Sequence, residues 1–105
     1  MKKKMFNPIT RCQTKGVNEL LSDEIKNFLW NHINVLNMKM ELDYLQIFEF
    51  RVVESDLIIE HRQEIPVYKK KHILKSNDLI YRLNGVKVFV VDNYNYSIMM
   101  LSTEY

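Results

Sequence analysis

Residues 44–65 read YLQIFEFRVVESDLIIEHRQEI. Two runs rich in β-branched and aromatic residues flank a short polar stretch, which is the composition of a β-hairpin. Period-two alternation places Tyr44, Gln46, Phe48, Phe50 and Val52 on one face of the first run. Leu57, Ile59, His61, Gln63 and Ile65 share one face of the second. The loop length decides whether those two faces coincide. An even loop, Val53 to Asp56, aligns them; an odd loop would set the aromatic face beside Glu60, Arg62 and Glu64. A one-residue slip moves the whole apolar set to the wrong side. The even register is therefore expected, with Phe48 opposite His61 and Gln46 opposite Gln63. It leaves a histidine and two amides on the greasier face, either as a site or as polar groups satisfied inside a core.

Upstream of this hairpin the sequence carries a helix. Ser22 is a suitable N-cap, and Asp23 and Glu24 put negative charge in the first turn, where the macrodipole favours it. Ile25, Phe28, Leu29, His32, Ile33, Leu36 and Met40 recur at helical spacing and form one apolar stripe. Trp30 falls about 120° from the centre of that stripe on a helical wheel. Exposed tryptophan is uncommon and is enriched at binding hot spots. The competing reading is a terminal strand or loop packed over it.

The remaining segments read mostly as strands. Ile9 to Val17 follows Pro8 and is read as a first strand. Val67 to Lys75 (VYKKKHILK) reads as an edge strand or an irregular segment, its lysines suiting an edge that must resist strand addition. LIYRL-NG-VKVFV carries a hairpin signal, because Asn84-Gly85 can take the positive φ values of a type I′ turn. A last strand, Tyr96 to Ser102, returns after DNYN. The sum is an α+β fold: one amphipathic helix packed on a five- to six-stranded, mostly antiparallel sheet. A chain of 105 residues fits one domain over 1–105. A single helix covers one sheet face, so the other must be polar, covered by the chain, or buried in a partner.

Composition narrows the function classes. Hydrophobic residues make up 47% and charged residues 27%, an ordinary globular balance. No apolar run approaches the ~20 residues needed to span a bilayer, and the basic start MKKKMFNPIT lacks the apolar segment of a secretory signal. One cysteine, Cys12, excludes an internal disulfide, and a cytoplasmic location is expected. A net charge of +2 does not suggest a strong nucleic-acid binder.

Several stretches resemble a known family. TKGV at 14–17, FLW at 28–30, LDYLQIFEF at 42–50, IIEHRQEIPVY at 58–68 and VKVFVVD at 86–92 are similar, in this order, to a small bacterial family catalogued as domain of unknown function nine-sixty. The region 68–85 departs most from that pattern. The resemblance implies a short intracellular protein of unknown activity, and it carries no catalytic residues to transfer.

The chemistry-bearing residues each have a bland reading. Cys12 lacks an activating motif, so it reads as a small buried side chain rather than a nucleophile. His32, His61 and His72 are far apart in sequence, without the close pairs of a recognisable metal site, and no metal or cofactor is expected. Gly16 and Gly85 alone cannot build a phosphate loop. Tyr44, Gln46, His61 and Gln63 either line a shallow ligand cleft or satisfy one another in the core; the core reading is favoured, because unpaired buried polar groups cost about 1–3 kcal/mol each. Tyr68 with Lys69, Lys70, Lys71 and His72 could contact phosphates and stack on a base, aided by Lys2 to Lys4. A solvated edge strand is the commoner explanation. The expected function is a non-catalytic module that binds another protein or itself, through Trp30 or through the region of Tyr68 to Lys71. The alternative is nucleic-acid binding by the basic run.

Overall fold

The structure is a computed structural model that describes residues 5–75 and 80–105. Lys2, Lys3, Lys4 and Leu79 lie outside the described residues. In chain order the elements are strand β1 (Arg11–Gln13), helices α1 (Lys15–Leu20) and α2 (Asp23–Asn37), then strands β2 (Leu45–Val53), β3 (Asp56–Gln63), β4 (Tyr68–Leu74), β5 (Lys87–Asn93) and β6 (Tyr96–Leu101). Short 3-10 turns cover Pro8–Thr10, Ile80–Leu83 and Ser102–Glu104. The six strands form one sheet in the order β1-β6-β5-β2-β3-β4. β1 runs parallel to β6, and the other four pairs are antiparallel. The α+β class and the mostly antiparallel sheet are as the sequence implies.

The hairpin register is the even one, with Phe48 opposite His61. The ladder runs further than expected. Val53 pairs with Asp56, so the turn is Glu54 and Ser55 alone rather than the four residues Val53 to Asp56. Shortening the loop by two residues preserves the parity that aligns the faces. Glu54 takes a left-handed backbone, φ 57°, to close the turn.

Two segments differ from the sequence reading. The strand expected over Ile9 to Val17 is three residues long and then becomes α1. Thr14 ends it: its hydroxyl accepts from the Val17 N–H at 3.2 Å and caps the helix. Thr14 Oγ1 in turn donates to Glu104 Oε1 at 2.6 Å, tying the C-terminal turn to the start of α1. A Cβ on Gly16 would lie 2.6 Å from that carboxylate, so glycine is what lets Glu104 approach.

Asn84-Gly85 also forms no hairpin. Ile80–Leu83 is a 3-10 turn, and only the segment after Gly85 becomes a strand. Gly85 has φ +83°, yet its N–H donates to Phe50 O at 2.9 Å and the Asn84 side chain accepts from the Val52 N–H at 2.9 Å. The dipeptide docks on the end of β2, and tertiary pairing there replaces the local turn.

Helix α2 begins as its sequence dictates, with Ser22 Oγ accepting from the Ile25 N–H at 3.2 Å. It buries Ile25, Leu29, Ile33 and Leu36 against one sheet face. That face offers Phe48, Phe50, Leu57, Ile59, Val88 and Val90, all within 1% of full burial. Removing apolar area from water at roughly 25 cal/mol per Å² makes this contact the main stabilising layer. No described helix is long and apolar enough to cross a membrane.

Candidate functional site

His61 and its amide neighbours lie beneath α2 and are closed to solvent. Gln46 and His61 are 0% exposed and Gln63 is 3% exposed. His61 Nε2 donates to Gln46 Oε1 at 2.7 Å. Gln46 Nε2 donates to Gln63 Oε1 at 2.7 Å and to Asp43 O at 2.9 Å. Gln63 Nε2 donates to Pro66 O at 2.8 Å and to Glu41 O at 3.1 Å, and its Oε1 also accepts from the Asp43 N–H. Both Gln46 nitrogen bonds are to acceptors, so its oxygen must face the ring, and His61 is held as the Nε2–H tautomer. The group is a core network that ties the 41–43 and 66 loops to the sheet. It is not a cleft, and Tyr44 does not join it. Tyr44 is 52% exposed.

The three histidines, distant in sequence, gather under α2. His32 on the helix packs on His72 of β4 with ring centroids 3.9 Å apart. Phe28 sits edge-on to both, at 4.3 Å and 6.1 Å. His61 stacks on Phe48 at 4.2 Å and meets the edge of Tyr68 at 5.4 Å. Burial, then the neighbouring His72 and Lys70, push His32 down to about 4. Burial, then the other two histidines, push His61 down to about 3. His72 is lowered as well, by burial and by Lys70. His61 Nδ1 and His72 Nε2 are buried without a hydrogen-bond partner. The alternation of β4 could have shown that His72 faces the same way as Tyr68; only the strand order shows that it meets His32. Among the described residues, no group of three or more His, Cys, Asp or Glu side chains is placed to hold a metal ion.

Trp30 is 7% exposed, which corrects its reading as a surface hot spot. The guanidinium of Arg11 lies over its ring, 4.6 Å from the centroid. Arg11 is held there by Nη2 and Nε donating to Phe6 O at 2.7 Å and 3.2 Å, and by a bond to Asn34 Oδ1. The segment from Phe6 to Arg11 thus straps the flank of the helix. Phe6, itself 1% exposed, is anchored by its N–H donating to Asp92 Oδ1 at 3.1 Å.

The basic run is split by the pleat. Lys70 and His72 pair opposite His61 and Ile59 and share the helix side, whereas Lys69 and Lys71 pair opposite Arg62 and Glu60 and point to the uncovered side. Tyr68 is half-buried against the core, so it does not stand beside the lysines as a free stacking platform.

The uncovered sheet face has two halves. Toward β3 and β4 it is charged: Arg62 Nη1 donates to Glu49 at 2.7 Å and to Glu60 at 3.2 Å, and Lys69 lies 4.0 Å from Glu60. The Arg62 contact holds the Glu49 carboxyl below its ordinary range. A depression of about 340 Å³ lies here, lined by Glu49, Arg51, Val53, Ile58, Glu60 and Lys71. Toward β5 and β6 the face is apolar. Leu45, Val91 and Ile98 form one cross-strand row, and Ile47, Phe89 and Met100 form another. The Tyr105 ring stands edge-on to Phe89 at 5.3 Å. Cys12 flanks this half on β1, with Sγ donating to Ser97 O at 3.5 Å, at the opposite edge of the sheet from β4.

The same architecture occurs in the crystal structure of a protein of unknown function from Enterococcus faecalis. That structure superposes with a TM-score of 0.83 at 19% identity, covering 100% of this chain and 98% of that one. The likeness is one of fold. No curated protein matches the chain. The family described as "Staphylococcal protein of unknown function (DUF960)" matches residues 10–104, nearly the whole sequence. The chain belongs to this family.

Proposed function

We propose that this protein is a non-catalytic cytoplasmic interaction module whose uncovered sheet face binds another protein or a second copy. The observation that carries this reading is the pair of apolar cross-strand rows on that face. Leu45, Val91, Ile98, Phe89 and Met100 remain only partly buried, although Val88, Val90, Ser97 and Met99 on the opposite face of β5 and β6 are fully buried. An apolar surface rimmed by charge is the composition of an association site. The charged half beside it, with Glu49, Arg51, Glu60 and Arg62, would set the register of a partner rather than supply most of the affinity.

A second reading rests on the same face. Arg51, Arg62, Lys69, Lys71 and Lys87 outnumber Glu49, Asp56 and Glu60 there, which favours a polyanion. Nucleic acid is the alternative partner.

Affinity capture from nuclease-treated extract separates the two. For the interaction module, Ile98→Glu with Met100→Glu is expected to abolish capture of a stoichiometric protein, or to dissociate a dimer in sedimentation, while circular dichroism stays native. Lys69→Glu with Lys71→Glu should then have little effect. Binding that instead falls steeply with salt and disappears with the lysine variants would replace this reading with the nucleic-acid one.

A further inference from the structure

The histidine cluster has a composition that suits one protonation state only. The groups that face its rings are His32 from α2, His61 from β3, and His72, Lys70 and the Tyr68 phenol from β4. Among the described residues, all the charges acting on the three imidazoles are cationic and no carboxylate takes part. When neutral, the rings of His32 and His72 pack like any aromatic pair, with Phe28 completing the contact. A proton on either ring places a cation 3.9 Å from a second imidazole and near Lys70, with no anion among the described residues to balance it. A proton added at His61 Nδ1 or His72 Nε2 finds no acceptor, since both atoms are buried and unpartnered. The contact also lies where release is easiest. Among the described residues β4 pairs with β3 alone, at the edge of the sheet, and edge elements open at lower free energy than central ones.

We propose that His32 and His72 form an acid-released latch: neutral imidazoles clamp α2 onto edge strand β4, and protonation frees β4 from the helix before the central strands open. This goes beyond the interaction surface argued above, since the latch lies on the other face of the sheet and stands or falls independently of it.

Amide hydrogen exchange between pH 7.5 and 4.5, corrected for intrinsic rates, tests the latch. Protection of β4 amides from Lys69 to Ile73 is expected to fall by about tenfold per pH unit for each proton taken up on opening. Amides of β2 and β5 should hold their protection over the same range. In His32→Phe with His72→Phe, β4 protection should become independent of pH above 5. Because that variant could fail to fold, the wild-type rings are also titrated by NMR. Resonances of His32 and His72 that titrate together near 6.5, or β4 and β2 amides that lose protection in parallel, would overturn the proposal.

Discussion

His61 is a residue whose surroundings decide its chemistry. Its Nε2–H is spent on Gln46, its ring is stacked on Phe48, and its other nitrogen meets nothing polar. The imidazole therefore behaves as a flat apolar side chain with one donor, and Gln46 is the residue that makes this tolerable. Replacing Gln46 with leucine removes the acceptor for His61 and one of the two donors to Gln63 Oε1. Each buried group left unsatisfied costs about 1–3 kcal/mol. Gln46→Leu is thus expected to destabilise the fold by roughly 2–4 kcal/mol in urea denaturation. If the four polar residues instead lined an open cleft, the substitution would leave the urea midpoint unchanged.

At the scale of elements, α2 is held from two sides, and the sequence discloses only one. Its stripe against the sheet is legible because Ile25, Leu29, Ile33 and Leu36 repeat at helical spacing. The strap over Trp30 is not, because Arg11 reaches it from a three-residue strand that pairs parallel to β6 across the whole chain. A double-mutant cycle measures the strap. Trp30→Ala is expected to cost about 3–5 kcal/mol, and Arg11→Ala about 1–2 kcal/mol through the lost stacking and the freed Phe6 carbonyl. Their coupling should be at least 0.5 kcal/mol, since the two side chains touch. Strictly additive effects would show that the strap and the helix are stabilised separately.

The same contrast explains the other readings. The β2–β3 register was legible because both strands are patterned and one face is buried, so an alternative register would bury Glu60 and Arg62. The Asn84-Gly85 signal misled because a positive φ serves a docked corner as well as a hairpin, and the bonds to Phe50 and Val52 come from a strand more than thirty residues away. The meeting of His32 and His72 needed the strand order itself. The lysines of β4 suit the edge position it takes, but no local pattern says that it runs beneath that turn of the helix.

Across the whole molecule, titratable groups are divided by face, and this division shapes how stability depends on pH. Beneath α2 lie histidines whose folded values are about 4 for His32 and about 3 for His61, against an ordinary 6.5. Between those values the unfolded chain binds more protons than the native one, so stability must rise with pH there. The histidine share is complete above about pH 6.5 and is lost as pH falls through 6.5 toward 4 and below. On the other face and at the C-terminus, Arg62 lowers Glu49, and Thr14 with the Leu101 N–H lowers Glu104. Their contribution is present above their ordinary 4.5 and is lost only below it. The urea midpoint should therefore be level from pH 8 to 7, begin to fall near 6.5, and fall faster below 4.5. Each unmatched proton contributes at most about 1.4 kcal/mol per pH unit, and solvent screening reduces the share of the half-buried His32 and His72. A midpoint that stays level down to pH 5 and declines only in the carboxylate range would mean that the imidazoles titrate as they do in the unfolded chain. The layer beneath α2 would then have to admit water to the His32 and His72 rings, and their packing would no longer account for how the helix is held to the edge of the sheet.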